Sequence, residues 1–404
     1  MPSVIRPTRP IRRAAVAALM LTAALGATLT AHADTKSRAF RQEFPPQGAE
    51  IRIANLAGHV ELVRGDGKGL IVEATVHAEG SNDAETQKLL DGMKWVRAKD
   101  SKERDEWALA YPVEKYKAYH YPQDHGGGTT GFVLNLFNNS HTATTYRGEK
   151  VRIYSETRSG VPTLYADLRI ALPAGSQVAV RNAVGRVNGS GALEGTLSID
   201  TGSGKVTLAS YSGRLTVDTG SGDVVIGTFK GETKVDTGSG DVVVRNLVGS
   251  GSLNTGSGNV TVESLAASKL TLDTGSGDVT IKGGDAGQVI ADTGSGNVKL
   301  LGVEIEELVA DTGSGDVVLR SSLAQARKIT AETGSGNVRI EAGPNASFNV
   351  DSDQGSGELR VRYKDAVLRR SGRKVVGAKR GDGRTAIHIE TGSGDCVIGP
   401  QGES

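Results

Sequence analysis

The stretch Asp273-Thr-Gly-Ser-Gly-Asp-Val-Thr-Ile281 decides the fold, because close copies of it return down the chain at a nearly fixed interval. The tetrapeptide Thr-Gly-Ser-Gly begins at Thr201, Thr219, Thr237, Thr255, Thr274, Thr293, Thr312, Thr333 and Thr391, with a degenerate copy at Gln354. The first eight starts lie 18, 18, 18, 19, 19, 19 and 21 residues apart, the step to Gln354 is again 21, and the last gap of 37 is about two units. Self-similarity at this period is the signature of stacked structural repeats.

Within each unit the apolar residues alternate with period 2, as strands require. Two residues before the Thr stand Ile199, Val217, Val235, Leu253 and Leu272, and five after it stand Val206, Val224, Val242, Val260, Val279, Val298, Val317 and Val338. Seven after it come Leu208, Ile226, Val244, Val262, Ile281, Leu300, Leu319 and Ile340. Each coil therefore reads as a short strand, a Thr-Gly-Ser-Gly turn and a second short strand. The two glycines are expected to supply backbone angles that a Cβ disfavours. A left-handed hexapeptide helix would need an apolar residue every six positions, yet Asp200, Asp218, Asp236 and Asp273 stand six before the strand valines. The expected fold is all-β, a single-stranded right-handed parallel β-solenoid (β-helix) with coils of 18–21 residues and a short helix near the N-terminal end. About ten coils at ~4.8 Å each would make a rod about 45–50 Å long.

Upstream, Asn55-Leu-Ala-Gly58-His-Val60 and Asn182-Ala-Val-Gly185-Arg-Val187 share an N-x-x-G-x-V core and read as degenerate coils. Between them Asp83 to Val96 reads as an amphipathic helix capped by Ser81 or Asn82, and Glu106 to Tyr111, Lys150 to Thr157 and Leu164 to Leu172 read as strands. Residues 34–190 thus form a modified solenoid start and 191–404 the repeat array. An insertion at 112–148 carries Tyr116, Tyr119, His120, Tyr121, Phe132, Phe137 and Tyr146, either capping the solenoid or contacting a ligand. A second, at 362–384, carries nine Lys/Arg against two Asp, Arg369, Arg370, Arg373 and Lys374 among them, and suits either solvent or an anionic surface such as a polysaccharide.

The first 33 residues have the order of a secretory signal peptide: Arg6 to Arg13, the apolar run Ala14 to Thr30, then Ala31-His32-Ala33. Their removal leaves 371 of the 404 residues, with 43 Lys+Arg against 46 Asp+Glu. A near-neutral exported chain is a poor general binder of nucleic acid. The lone Cys396 excludes a disulfide framework and a Cys-based zinc site, and by its place in the valine column it reads as a core thiol. No second apolar run approaches the length of a membrane-spanning helix.

Three motifs invite chemistry. Asp-Thr-Gly-Ser is the aspartic-protease string, but six copies at solenoid spacing, from Asp200 to Asp311, read as turn punctuation. Gly-Ser-Gly-Asp resembles part of the nonapeptide that binds Ca²⁺ in β-rolls, although it occurs once per coil and with altered spacing, while Asn259, Asn297 and Asn337 dilute the charge of its column. His120, His125 and His141 make a metal cluster unsupported by carboxylate spacing. A glycan-active β-helix enzyme remains a third reading, against which stand short coils with minimal loops.

The front N-x-x-G-x-V unit, the segment Ala166-Asp-Leu-Arg-Ile-Ala-Leu-Pro173 leading into the second such unit, and the T-G-S-G-[DN]-V coils together resemble an exported bacterial family of adhesin-like proteins with β-strand repeats, a domain of unknown function. The resemblance spans roughly 45–400 and implies a β-solenoid in a non-catalytic envelope role, with no catalytic residues to carry over. The expectation is an exported, non-enzymatic binding or structural protein of the periplasm or cell surface that needs no cofactor. Its partner is an envelope or extracellular surface component such as a glycan. The alternatives are a Ca²⁺-stabilised β-roll-like module and the glycan-active enzyme.

Overall fold

A computed structural model describes residues 35–45, 50–67, 69–100, 102–122 and 141–402. The segment expected to be a signal peptide, Phe132, Phe137 and His125 lie outside the described residues. The fold is a β-solenoid of stacked parallel coils with about 9 turns and, among the described residues, one helix. Equivalent residues align from coil to coil: Val206, Val224, Val242, Val260, Val279, Val298, Val317 and Val338 pair successively in register and are buried, and Cys396 continues the same column. Burying each such aliphatic side chain stabilises by about 1.5–3 kcal/mol, so the continuous ladder is the main cohesive element. Tyr211 stacks on Phe229 inside the same core, with ring planes 4° apart.

The turn explains its own sequence. From Thr237 to Thr391, each turn threonine donates its hydroxyl to the carbonyl of the second glycine one coil back, at 2.7–3.1 Å. The same oxygen accepts the amide of the second glycine of its own turn, at 3.0–3.2 Å. These threonines are buried, so each hydroxyl satisfies two backbone groups that water does not reach. The glycines have a different reason from the one expected. Of all the turn glycines in intact copies only Gly204 has a left-handed φ, at +148°. The others are needed for close approach: from Gly222 on, a Cβ on the second glycine would lie 1.8–2.1 Å from the carbonyl oxygen of its counterpart in the adjacent coil.

The coils do not stack in chain order at the C-terminal end. Strand Lys328–Thr333 pairs in register with Thr385–Thr391, placing Thr333 beside Thr391, and Thr385–Thr391 then pairs with Phe348–Gln354 on its other side. Likewise Val338–Ala342 pairs with Cys396–Pro400, and only beyond it lies Leu359–Val361. The chain thus skips one layer, turns through the antiparallel hairpin of Val367–Ser371 and Lys374–Arg380, and returns to fill the gap. Strand Lys374–Arg380 pairs antiparallel with Phe348–Gln354. That contact covers an edge which would otherwise present open backbone groups.

The N-terminal end is closed by similar means. Ile51–Ala57 and Val60–Arg64 form the first coil and pair with Ser176–Val184 and Val187–Ser203. Outside it, Thr163–Leu172 pairs parallel with Val60–Arg64 and antiparallel with Leu70–Glu79, which pairs antiparallel with Lys36–Phe44. The helix spans Asp83–Gly92, shorter than expected, with Asn82 as N-cap accepting the Glu85 amide. It stops because Trp95 and Val96 belong to strand Lys94–Lys99, which pairs with Asp105–Ala110.

Candidate functional site

Four features are capable of chemistry: the tyrosine cluster, two ladders of polar residues, and the basic hairpin. The tyrosines are structural. Tyr119, Tyr121 and Tyr146 are buried, and Tyr116 packs against the core, half-buried. Tyr111 donates to Asn55 Oδ1 at 2.9 Å, Tyr146 donates to the Leu109 carbonyl at 2.8 Å, and Tyr116 donates to Glu85 Oε1 at 2.9 Å. Burial raises the Tyr111 and Tyr146 phenols well above their ordinary value. His120 is buried beside Thr163 Oγ1, its pKa lowered by burial, and His141 packs on the Tyr154 ring. Of the two roles expected for this insertion, capping suits the buried Tyr119, His120, Tyr121 and Tyr146, while Tyr116 keeps part of its surface open.

The ladder just after each turn runs Asp223, Asp241, Asn259, Asp278, Asn297, Asp316, Asn337, Asp395. Each side-chain oxygen accepts the backbone amide of the next member, at 2.7–3.2 Å. Asn259, Asn297 and Asn337 also donate their amides to the preceding Asp. Alternation of acid and amide relieves like-charge repulsion with no cation required. One carboxylate oxygen of each Asp in this ladder, Oδ1, is thereby occupied by the next member's amide.

The ladder just before each turn behaves differently. It runs Asp200, Asp218, Asp236, Asn254, Asp273, Asp292, Asp311, Glu332, Glu390, Asp353, each in register with the next. From Asp273 onward no amide interrupts it, and none of its carboxylates has an ion-pair partner among the described residues. Burial, then the charges of Asp311 and Asp273, raise the pKa of Asp292, and burial and Asp218 raise that of Asp200. A carboxyl that protonates more readily in the folded chain makes the fold gain stability on acidification, and lose it as pH rises past the ordinary Asp range. Asp292→Asn is therefore expected to stabilise the fold at neutral pH, by about 0.2–1 kcal/mol for each of its two relieved cross-strand repulsions, and so to raise the melting midpoint. Scans at pH 7 and pH 3 check this, since the gain should vanish at the lower pH. At one point on this ladder Glu332, His388 and Glu390 bring one ligand atom each to within 4.8 Å of one another. Sequence reasoning missed this trio, which exists only because the C-terminal strand returns out of order.

The basic hairpin is exposed. Val367 is 74% and Leu368 40% exposed, two of the three large hydrophobics so placed among the described residues. Arg369 pairs with Asp351, Arg380 with Asp365 at 2.9 Å, and Lys374 donates to the Gln354 carbonyl. Arg370, Arg373 and Lys379 have no carboxylate partner among the described residues. The described residues include no helix long and apolar enough to cross a membrane.

Residues 248–398 match the Toastrack DUF4097 family, a domain of unknown function. No curated protein matches the sequence. Among solved structures, a candidate lipid-binding protein from Parabacteroides distasonis ATCC 8503 aligns over 90% of this chain and 97% of its own, at 10% identity and a TM-score of 0.32. A candidate cell adhesion protein from Clostridium sporogenes ATCC 15579 aligns over 91% of this chain and 100% of its own, at 11% identity and a TM-score of 0.15.

Proposed function

For a chain that carries a Toastrack domain of unknown function over residues 248–398, we propose an exported, non-enzymatic role in the cell envelope: a stiff β-solenoid that meets an anionic lipid surface through its terminal hairpin. The observation that carries this reading is the coincidence of exposed Val367 and Leu368 with the unpaired cations Arg370 and Arg373 on a single hairpin. Apolar side chains entering the headgroup region, flanked by cations facing anionic lipid, are the ordinary means by which a soluble domain holds a bilayer. Exposed apolar residues favour a lipid interface over a purely hydrophilic polysaccharide. The non-catalytic reading rests on the repetition itself: acids recur along whole columns as part of the turn sequence.

Co-sedimentation with vesicles tests the reading. The full chain should sediment with vesicles containing phosphatidylglycerol and not with phosphatidylcholine alone, and binding should fall with salt. At about 1 kcal/mol per cation near the surface, Arg370→Ala with Arg373→Ala should weaken binding about 30-fold. Val367→Ser with Leu368→Ser should weaken it without changing its salt dependence. Binding indifferent to these substitutions would overturn the proposal. Displacement by a soluble acidic polysaccharide, with no contribution from the apolar pair, would assign the hairpin to a glycan instead.

A further inference from the structure

We propose that Glu332, His388 and Glu390 form a divalent-metal site of the zinc type that clamps the returning C-terminal strand to the body of the solenoid. Glu332 lies on strand Lys328–Thr333, and His388 and Glu390 lie on Thr385–Thr391. Glu332 and Glu390 are register partners, and His388, two residues before Glu390, projects to the same face of its strand. An ion held by all three would therefore bridge the two layers that meet out of chain order.

Three observations converge on this spot. The first is departure from the repeat. Every other acid in the column before the turn is Asp, and Glu stands only at 332 and 390. In the outward column two residues earlier, His388 replaces what is elsewhere Ser198, Thr216, Lys234, Ser252, Thr271, Ile290, Val309, Thr330 or Asp351. All three departures fall together in space although 56 residues separate His388 from Glu332 in sequence. The second is charge. The neighbouring ladder dilutes its charge by alternating Asp with Asn, whereas here Asp311, Glu332, Glu390 and Asp353 are stacked without an amide or an ion-pair partner among the described residues. A bound cation supplies the missing charge.

The third is the donor set. One imidazole and two carboxylates suit Zn²⁺ or a similar first-row ion, whereas Ca²⁺ and Mg²⁺ favour all-oxygen shells. Ligands at about 2.1 Å from a tetrahedral ion lie about 3.4 Å apart. The present spacing of up to 4.8 Å closes by rotation of the exposed Glu390 side chain. His388 faces Thr330 and Asp351 on the strands beside it, and Asp351 is already paired with Arg369. Asp353, next to Glu390 in register, stands where a fourth ligand or a water would complete the shell.

The experiment titrates zinc chloride into the tag-free, chelator-treated full chain and follows both heat and thermal unfolding. One equivalent of zinc should bind, and at free zinc 100-fold above the dissociation constant the unfolding equilibrium should fall about 100-fold, reversibly with chelator. Cobalt(II) should give a visible absorption band from the nitrogen-containing shell. His388→Ala and Glu390→Gln should each weaken zinc binding about tenfold or more. Asp292→Asn, on the same column but away from the trio, should leave zinc binding unchanged. Absence of stoichiometric binding in the unsubstituted chain would overturn the proposal. So would unchanged affinity in His388→Ala, or an equal loss in Asp292→Asn, which would assign the effect to the acidic column as a whole. If His388→Ala fails to fold by circular dichroism, Glu332→Gln takes its place under the same criteria.

Discussion

Gly296→Ala should unfold the coils on either side of it, while Gly283→Ala, thirteen residues earlier, should leave the protein's stability nearly unchanged. Neither glycine has a left-handed φ, so backbone preference does not separate them. What separates them is distance. A Cβ on Gly296 would lie 1.8 Å from the carbonyl oxygen and 2.4 Å from the carbonyl carbon of Gly277. A Cβ on Gly283 would find its nearest atom at 3.8 Å, an ordinary van der Waals contact. The obstacle at Gly296 is backbone held in a ladder, not the tip of a flexible side chain, so the only relief is to push two layers apart. Separation breaks ladder bonds between those two layers, such as that from Val279 to Asn297 at 2.9 Å. The expected loss is about 3 kcal/mol or more, at the upper end for overpacking. Because each coil touches only its neighbours, the damage should appear as a split melting transition and a new proteolytic cut near residue 296. A single unshifted transition would show that the coils can move apart freely.

Much of this architecture was legible in the sequence, and the part that was not has a definite cause. The strands, the inward valine columns and the buried place of Cys396 follow from period 2 within a period of 18–21, because a strand shows its partition between core and solvent directly in its residues. The out-of-order layer was hidden, because the gap of 37 between Gln354 and Thr391 reads equally well as two successive coils. The role of glycine was misread for a related reason. A turn rich in glycine suggests unusual φ angles, but the constraint comes from the neighbouring layer, which no single coil's sequence displays. The tyrosines of the first insertion were ambiguous because a buried phenol and an exposed one look alike until their partners are known. The metal trio depends wholly on the returning strand, and so was invisible for the same reason as the layer itself.

Thr293→Val should cost about 2–4 kcal/mol, and the same change at Thr201 should cost nothing or stabilise slightly. Val and Thr have nearly the same shape, so the comparison isolates the hydroxyl. At Thr293 the hydroxyl donates to the Gly277 carbonyl at 2.8 Å and accepts the Gly296 amide at 3.1 Å. Its removal leaves two buried backbone groups without a partner, each at about 1–3 kcal/mol. Thr201 is the first threonine of the column, and its buried hydroxyl oxygen has no hydrogen-bond partner among the described residues. There valine removes a burial cost and breaks nothing. Denaturant unfolding of both variants checks the contrast, and similar losses at the two sites would show that side-chain shape, not the hydroxyl, holds the column. The Gly277 carbonyl that receives the Thr293 hydroxyl is the same group a Cβ at residue 296 would strike. Once alanine has displaced that carbonyl, the hydroxyl bond is already lost. Thr293→Val added to Gly296→Ala should therefore cost well under the sum of the two single changes, with a coupling of about 1 kcal/mol or more. Strict additivity would mean that threonine and glycine secure the turn independently. Coupling would make them one device, in which glycine lets the layers approach and threonine bonds across the narrowed gap.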